Sequence, residues 1–341
     1  MDKDFDFQTY ETLVGQASQI HIKQVLHTRI LKLSSAESPT SYEKIGLELG
    51  KSKQFGKSLT LLKRATIIDP DSTRAHLKII KTFFSLKKEN EAFSSMERAL
   101  CLSPTNYSLH SFIIRTFQER DKLKDLEPFY QEVADMITDK KLLPSLFYQC
   151  AQALVGINQY SHSLFGYKKA IETCIVEEPG YLHHFQYAGA LYYEGFLEEA
   201  LIHSVHAWRL NPYKNLAKNN IAFLNYCLGR VQKALEEFEF IIDNGLEIYA
   251  TYSNFLVVLY HLDKDEETIN KYKGLLQPYI QPHYQELSEI YNEELRQTDV
   301  RLQGEIDEET REFYLKKLKG LNFVVSHINK RKEEFDAEWR V

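Results

Sequence analysis

The chain is poor in cysteine, glycine and proline, and each shortage excludes something. Its four cysteines (Cys101, Cys150, Cys174 and Cys227) stand far apart and form no CxxC pair. That argues against a thiol-ligated zinc module and against a disulfide framework. With 14 Gly and 9 Pro in 341 residues, the chain has too few turn formers for a β-sandwich of this length. No apolar run approaches the length of a membrane span. The opening stretch MDKDFDFQTYETLVG is acidic and lacks the apolar segment of a signal peptide, so a cytoplasmic location is expected. A net charge of −6 carries no nucleic-acid signature.

Catalytic signatures are also missing. The sequence contains no GxGxxG, no P-loop and no GxSxG. His203 and His206 lie three apart, and His183 and His184 are adjacent, but two imidazoles make an incomplete metal site. Acidic pairs such as Glu198–Glu199 and Glu236–Glu237 read as solvated helix faces. No enzyme activity, metal or cofactor is expected.

What the chain does contain is a repeat. Gly195 is answered by Gly229 and Ala200 by Ala234, each 34 residues on, and Pro70 by Pro104 at the same distance. A 34-residue frame on these anchors gives seven repeats, starting near Pro39, Thr73, Tyr107, Pro144, Tyr181, Asn215 and Tyr249. Two steps are 37 residues long, and their extra residues fall at inter-repeat turns, where insertions cost little. Apolar residues recur at three- and four-residue intervals inside each repeat, so each reads as helix–turn–helix. The turns fall at Lys53, Lys87, Asp121, Asn158, Gly195, Gly229 and Asp263. Small pairs such as Gly46/Ser58, Ala151/Ser163, Ala188/Ala200 and Ala222/Ala234 mark where the two helices cross closely. Ile114/Leu126 breaks that rule, so the third repeat should be the least regular.

This pattern resembles the tetratricopeptide repeat (TPR) family over residues 39–280. Bulky fourth places (Tyr42, Phe147, Tyr252), small eighth places (Gly46, Ala151, Ala188, Ala222) and terminal prolines (Pro70, Pro104, Pro212) carry the likeness. The resemblance implies an all-α, right-handed TPR superhelix, an α-solenoid of about seven helix pairs whose first helices line a concave groove. Residues 1–38 are expected to supply an N-terminal capping helix, and residues 283–341 two long helices that cap the solenoid or meet a partner or second copy. Asp307 is expected to be an N-cap.

The resemblance also points to ligand-facing positions. The sixth place holds Gln149, Gln186, Asn220 and Asn254, amides able to clamp an extended peptide backbone. Tyr192, Tyr226 and Tyr260 recur at the twelfth place, either as a wall of the groove or as packing between neighbouring helices. Early repeats instead place Lys44, Lys78, Lys81 and Arg115 on this face, which would draw acidic residues of a ligand. These cations do not match the carboxylate clamp of chaperone-binding TPR domains. The sequence therefore suggests a scaffold or adaptor binding a protein or peptide in its groove, with no nucleic acid and no membrane span. Three alternatives stay open: a peptide-responsive signalling receptor, a regulatory or assembly subunit acting through its convex face, and a self-assembling scaffold.

Overall fold

The computed structural model describes residues 39–69, 72–174 and 180–338; the expected helix within residues 8–33 lies outside them. The described residues contain sixteen α-helices and no strand. The seven pairs are α1 (Pro39–Lys51) with α2 (Phe55–Ile68), α3 (Thr73–Ser85) with α4 (Glu89–Leu102), and α5 (Tyr107–Glu119) with α6 (Leu126–Met136). They continue as α7 (Leu143–Val155) with α8 (Tyr160–Glu172), α9 (Tyr181–Tyr193) with α10 (Leu197–Leu210), α11 (Asn215–Cys227) with α12 (Val231–Asp243), and α13 (Tyr249–His261) with α14 (Glu266–Ile280). Two longer helices follow, α15 (Tyr284–Gln303) and α16 (Glu308–Glu338). Six of the seven first helices begin at the expected residue. The other, α7, begins one residue ahead of Pro144, which sits in the first turn where its missing N–H is not needed.

The turn inside each pair has one solution, used seven times. Lys53, Lys87, Asp121, Asn158, Gly195, Gly229 and Asp263 all have positive φ, between 49° and 83°. The N–H of the following residue then returns to the carbonyl five residues back. Gln54 bonds Leu49, Lys88 bonds Phe83, and so on to Lys264 on Leu259, at 2.9–3.1 Å. This closure satisfies a carbonyl that the ending helix would otherwise leave orphaned.

Small residues let the paired helices approach closely. A Cβ on Gly46 would lie 2.8 Å from the Leu62 side chain, and one on Gly166 would lie 2.9 Å from the Phe147 carbonyl. Ser58 spends its hydroxyl on the Gly46 carbonyl across the first crossing, at 2.7 Å. Ala188, Ala200, Ala222 and Ala234 are all buried at the later crossings. The third pair departs from this. Its crossing residues Ile114 and Leu126 are bulky and fully buried, a 3-10 turn (Leu123–Asp125) precedes α6, and α6 has only 11 residues.

The chain divides into two units, residues 1–178 and 179–341. In the first, α1, α3, α5 and α7 lie side by side, each packed on its partner helix, around a core that includes Leu61, Leu62, Met96, Phe117, Tyr130 and Phe147. The face of the first helices that the TPR resemblance makes concave is called the inner face below. In the second, α9 to α14 continue the pairing, and α16 packs between α13 and α15. Asp307 caps α16, accepting from Thr310 N–H at 2.7 Å. α16 packs against two helices of its own chain, α13 and α15. Tyr314, Leu321, Val324 and Ile328 are buried, while the outward positions hold Lys319, Asn322, Ser326 and Lys330, with Leu315 the exposed apolar residue among them. The outward face of α16 is therefore mostly polar.

Candidate ligand-binding faces

In the first unit, the first helices carry four cations that have no carboxylate partner among the described residues. Lys44, Lys81 and Arg115 are exposed and Lys78 is half-buried, and none forms an ion pair with a described residue. Their neighbours differ: Lys51 pairs with Glu48 at 3.0 Å and Arg74 with Glu43 at 3.3 Å. Lys78 runs its stem against the bare backbone of Gly50, where an added Cβ would meet Lys78 Cε at 2.9 Å. Lys81 holds its ammonium 5.2 Å from the centre of the Phe112 ring. Arg120 stacks its guanidinium 3.8 Å from the centre of Phe84. Leu77, Phe84, Phe112 and Gln149 are half-buried on the same helices. The face thus alternates apolar area with free positive charge.

The second unit is arranged differently, and here the structure departs from the sequence expectation. Tyr226 is fully buried: its hydroxyl lies 3.1 Å from His261 Nδ1, and its ring is 5.5 Å from that of Phe313 on α16. Burial raises its pKa well above the ordinary phenol range. Tyr260 stacks on Phe323 of α16 at 4.7 Å. Asn254 is buried and accepts from the Tyr291 hydroxyl of α15 at 2.6 Å. Tyr226 and Asn254 are shut off from an outside ligand by the chain's own helices, and Tyr260 is half-buried against one of them. Gln186, Asn220 and Tyr192 are half-buried and not covered in this way; Tyr192 packs edge-on to Phe223.

At the centre of that covered face is a buried ion pair that sequence reading did not single out. Lys317 of α16 lies 2.9 Å from Glu294 of α15, and both are buried. The Lys317 ammonium also donates to Cys227 Sγ at 3.6 Å and sits 5.6 Å from the centre of the Phe223 ring. Burial works against the ammonium charge, but Cys227, Glu294 and Tyr226 outweigh it and hold the pKa above its ordinary value. One signal was present: a lysine in the middle of the apolar series Tyr314, Leu321, Val324 and Ile328.

The histidines singled out in the sequence do meet. His184 Nδ1 lies 2.8 Å from His203 Nδ1, and both rings pack against His206. Burial, and then its imidazole neighbours, push the His184 pKa down to about 4. The short Nδ1–Nδ1 contact is a hydrogen bond between the two rings, which spends these nitrogens on each other and fits packing better than ligation. Among the described residues, no cluster of three or more His, Cys, Asp or Glu is placed to hold a metal ion. Among the described helices, none is long and apolar enough to cross a membrane.

The helix lengths, the 34-residue step, the close crossings and the left-handed turns together define a TPR fold. No protein-family model and no curated protein matches the chain. Solved structures resembling it include YrrB, described as a TPR protein with an unusual peptide-binding site, at 18% identity over 63% of this chain and 91% of that one, with a TM-score of 0.32. PilW, a type IV pilus biogenesis factor, aligns at 13% identity over 71% and 94%, with a TM-score of 0.37. A monomeric mutant of IFIT1 with Gppp-AAAA aligns at 14% identity over 97% and 76%, with a TM-score of 0.39. Scores this low carry none of those proteins' ligands or roles to this chain.

Proposed function

We propose that the chain is a non-catalytic protein-binding scaffold whose ligand surface is the inner face of the first unit. Its ligand is a protein segment rich in acidic and apolar residues. The observation that carries this reading is the set of four inner-face cations, Lys44, Lys78, Lys81 and Arg115, which have no carboxylate partner among the described residues, beside Lys51 and Arg74, which have one. Free positive charge on one face raises the encounter rate with acidic partners, and half-buried Leu77, Phe84 and Phe112 supply area that can be desolvated on contact. Gln149 offers both a donor and an acceptor to a ligand backbone.

The test is selection of short random peptides on the immobilised wild-type chain, followed by titration of the selected peptides. Acid-rich sequences should emerge, their affinity should fall with added salt, and Lys78→Glu with Lys81→Glu should weaken them about tenfold or more. Selected peptides that bind the charge-reversed chain as well as wild type would remove this face from the function.

A further inference from the structure

The first helices of the last two pairs are covered by a helix of the same chain. At the positions where the TPR resemblance places ligand contacts, Phe223, Tyr226, Cys227, Val257, Tyr260 and His261 all lie against α16. Gly304–Asp307 is the non-helical link that joins α16 to α15. We infer that residues 308–338 are a ligand held in cis, and that the seat also accepts, in trans, an amphipathic helix of the same chemistry.

Two features of the seat specify that chemistry. Glu294 is buried, and Lys317 is its cationic partner, so any occupant must bring a cation to the middle of its apolar face. A buried carboxylate stripped of its partner is strongly unfavourable, which rejects a purely apolar helix. One turn further on, α16 crosses α13 at Gly320, where a Cβ would lie 3.0 Å from the Val257 carbonyl. The occupant therefore needs a small residue three positions after its cation. Large apolar residues then follow at the spacings of Leu321, Val324 and Ile328, all buried here. The outward positions Lys319, Asn322, Ser326 and Lys330 are free of this demand because they face away from the seat. The inference concerns the second unit and does not depend on the basic face of the first.

The experiment keeps the whole chain. A protease site is placed between Gly304 and Asp307, the folded protein is cleaved, and a fluorescent synthetic peptide of residues 307–338 is added in excess. The labelled peptide should replace the resident fragment under native conditions and co-elute with the remainder of the chain. Peptides carrying Lys317→Met or Gly320→Leu should compete roughly tenfold or more less well. A resident fragment that stays bound through prolonged excess would make α16 a fixed structural element and overturn the inference. So would equal competition by the two altered peptides. If the cleaved chain aggregates, hydrogen exchange on the uncleaved chain decides. Amides of α16 should open at least tenfold more often than those of α11 and α13; equal protection in all three overturns the inference.

Discussion

The two units use the same helix pair and leave their inner faces in opposite conditions. In the first, Lys44, Lys78, Lys81 and Arg115 have no carboxylate partner among the described residues and stand on the first helices with half-buried Leu77, Phe84 and Phe112. In the second, the corresponding places on α11 and α13 are filled by α16, down to a buried lysine seated on a buried glutamate. A TPR pair dictates how its own two helices cross and turn. What lies on its inner face depends on the side chains placed there. Among the described residues, no helix covers the face where those side chains are charged, and α16 covers it where they are aromatic and aliphatic.

The largest expected effect tests whether that covering is needed for stability. Lys317→Ala leaves Glu294 buried and unpaired, which should destabilise the second unit by about 3–5 kcal/mol. Protection from hydrogen exchange should fall across α11, α13 and α15 and hold across α1 to α8. Lys317→Met combined with Glu294→Leu removes both charges and should recover most of the loss. Undiminished protection after Lys317→Ala would mean that the pair is not what seats α16.

Acid should act on the first unit through a different residue. His110 is fully buried, with Nε2–H donating to the Pro104 carbonyl and Nδ1 accepting from the Tyr130 hydroxyl, both at 2.8 Å. Burial pushes its pKa down to about 4, the Pro104 contact opposing only in part. The unfolded chain binds this proton near pH 6.5 and the folded chain only near pH 4. Stability from His110 is therefore complete above about pH 6.5 and declines by about 3 kcal/mol as pH falls to 4. His110→Gln should flatten that part of the first unit's pH–stability curve in denaturant titrations. An unchanged slope would assign the acid sensitivity elsewhere.

The register of the fold was legible because its determinants are local. A left-handed turn accepts few residue types, and a close crossing accepts small side chains, so Asn158, Gly195 and Gly229, or Ala188 with Ala200, mark their places in one dimension. The cations of the first unit were legible for a similar reason: their positions within the repeat fix which face of the first helices they share, and no ion pair with another described residue draws them away. The fate of Tyr226, Tyr260 and Asn254 was not legible. It depends on α15 and α16, which lie 37 to 87 residues further along the chain in the contacts seen here. An apolar series such as Tyr314, Leu321, Val324 and Ile328 signals only that its helix is buried. It carries no information on which surface buries it, because any apolar face of suitable width satisfies the same pattern.

The smallest effect offers the sharpest contrast, since one substitution should change sign between two glycines of the second unit. Gly189 sits at the ninth place of α9, on the inner face of the fifth pair, and an added Cβ there meets nothing within 4 Å. Gly320 sits in α16 over the seventh pair, where an added Cβ would be 3.0 Å from the Val257 carbonyl, 3.2 Å from its Cγ1 and 3.3 Å from its Cα. Both are in helix interiors, so alanine gains about 0.5–1 kcal/mol of backbone propensity at either site. At Gly189 nothing opposes that gain, and Gly189→Ala should stabilise by this amount. At Gly320 the obstruction includes the backbone of a buried helix, which cannot move aside as a flexible side chain would. Overpacking of this kind costs roughly 1–3 kcal/mol, so Gly320→Ala should be neutral to destabilising by about 2 kcal/mol. Paired denaturant titrations of the two variants measure the difference directly. Stabilisation at both sites would mean that α16 rides loosely on α13. Destabilisation at Gly189 would mean that something also covers the inner face of the fifth pair, and the contrast between the two faces would have to be redrawn there.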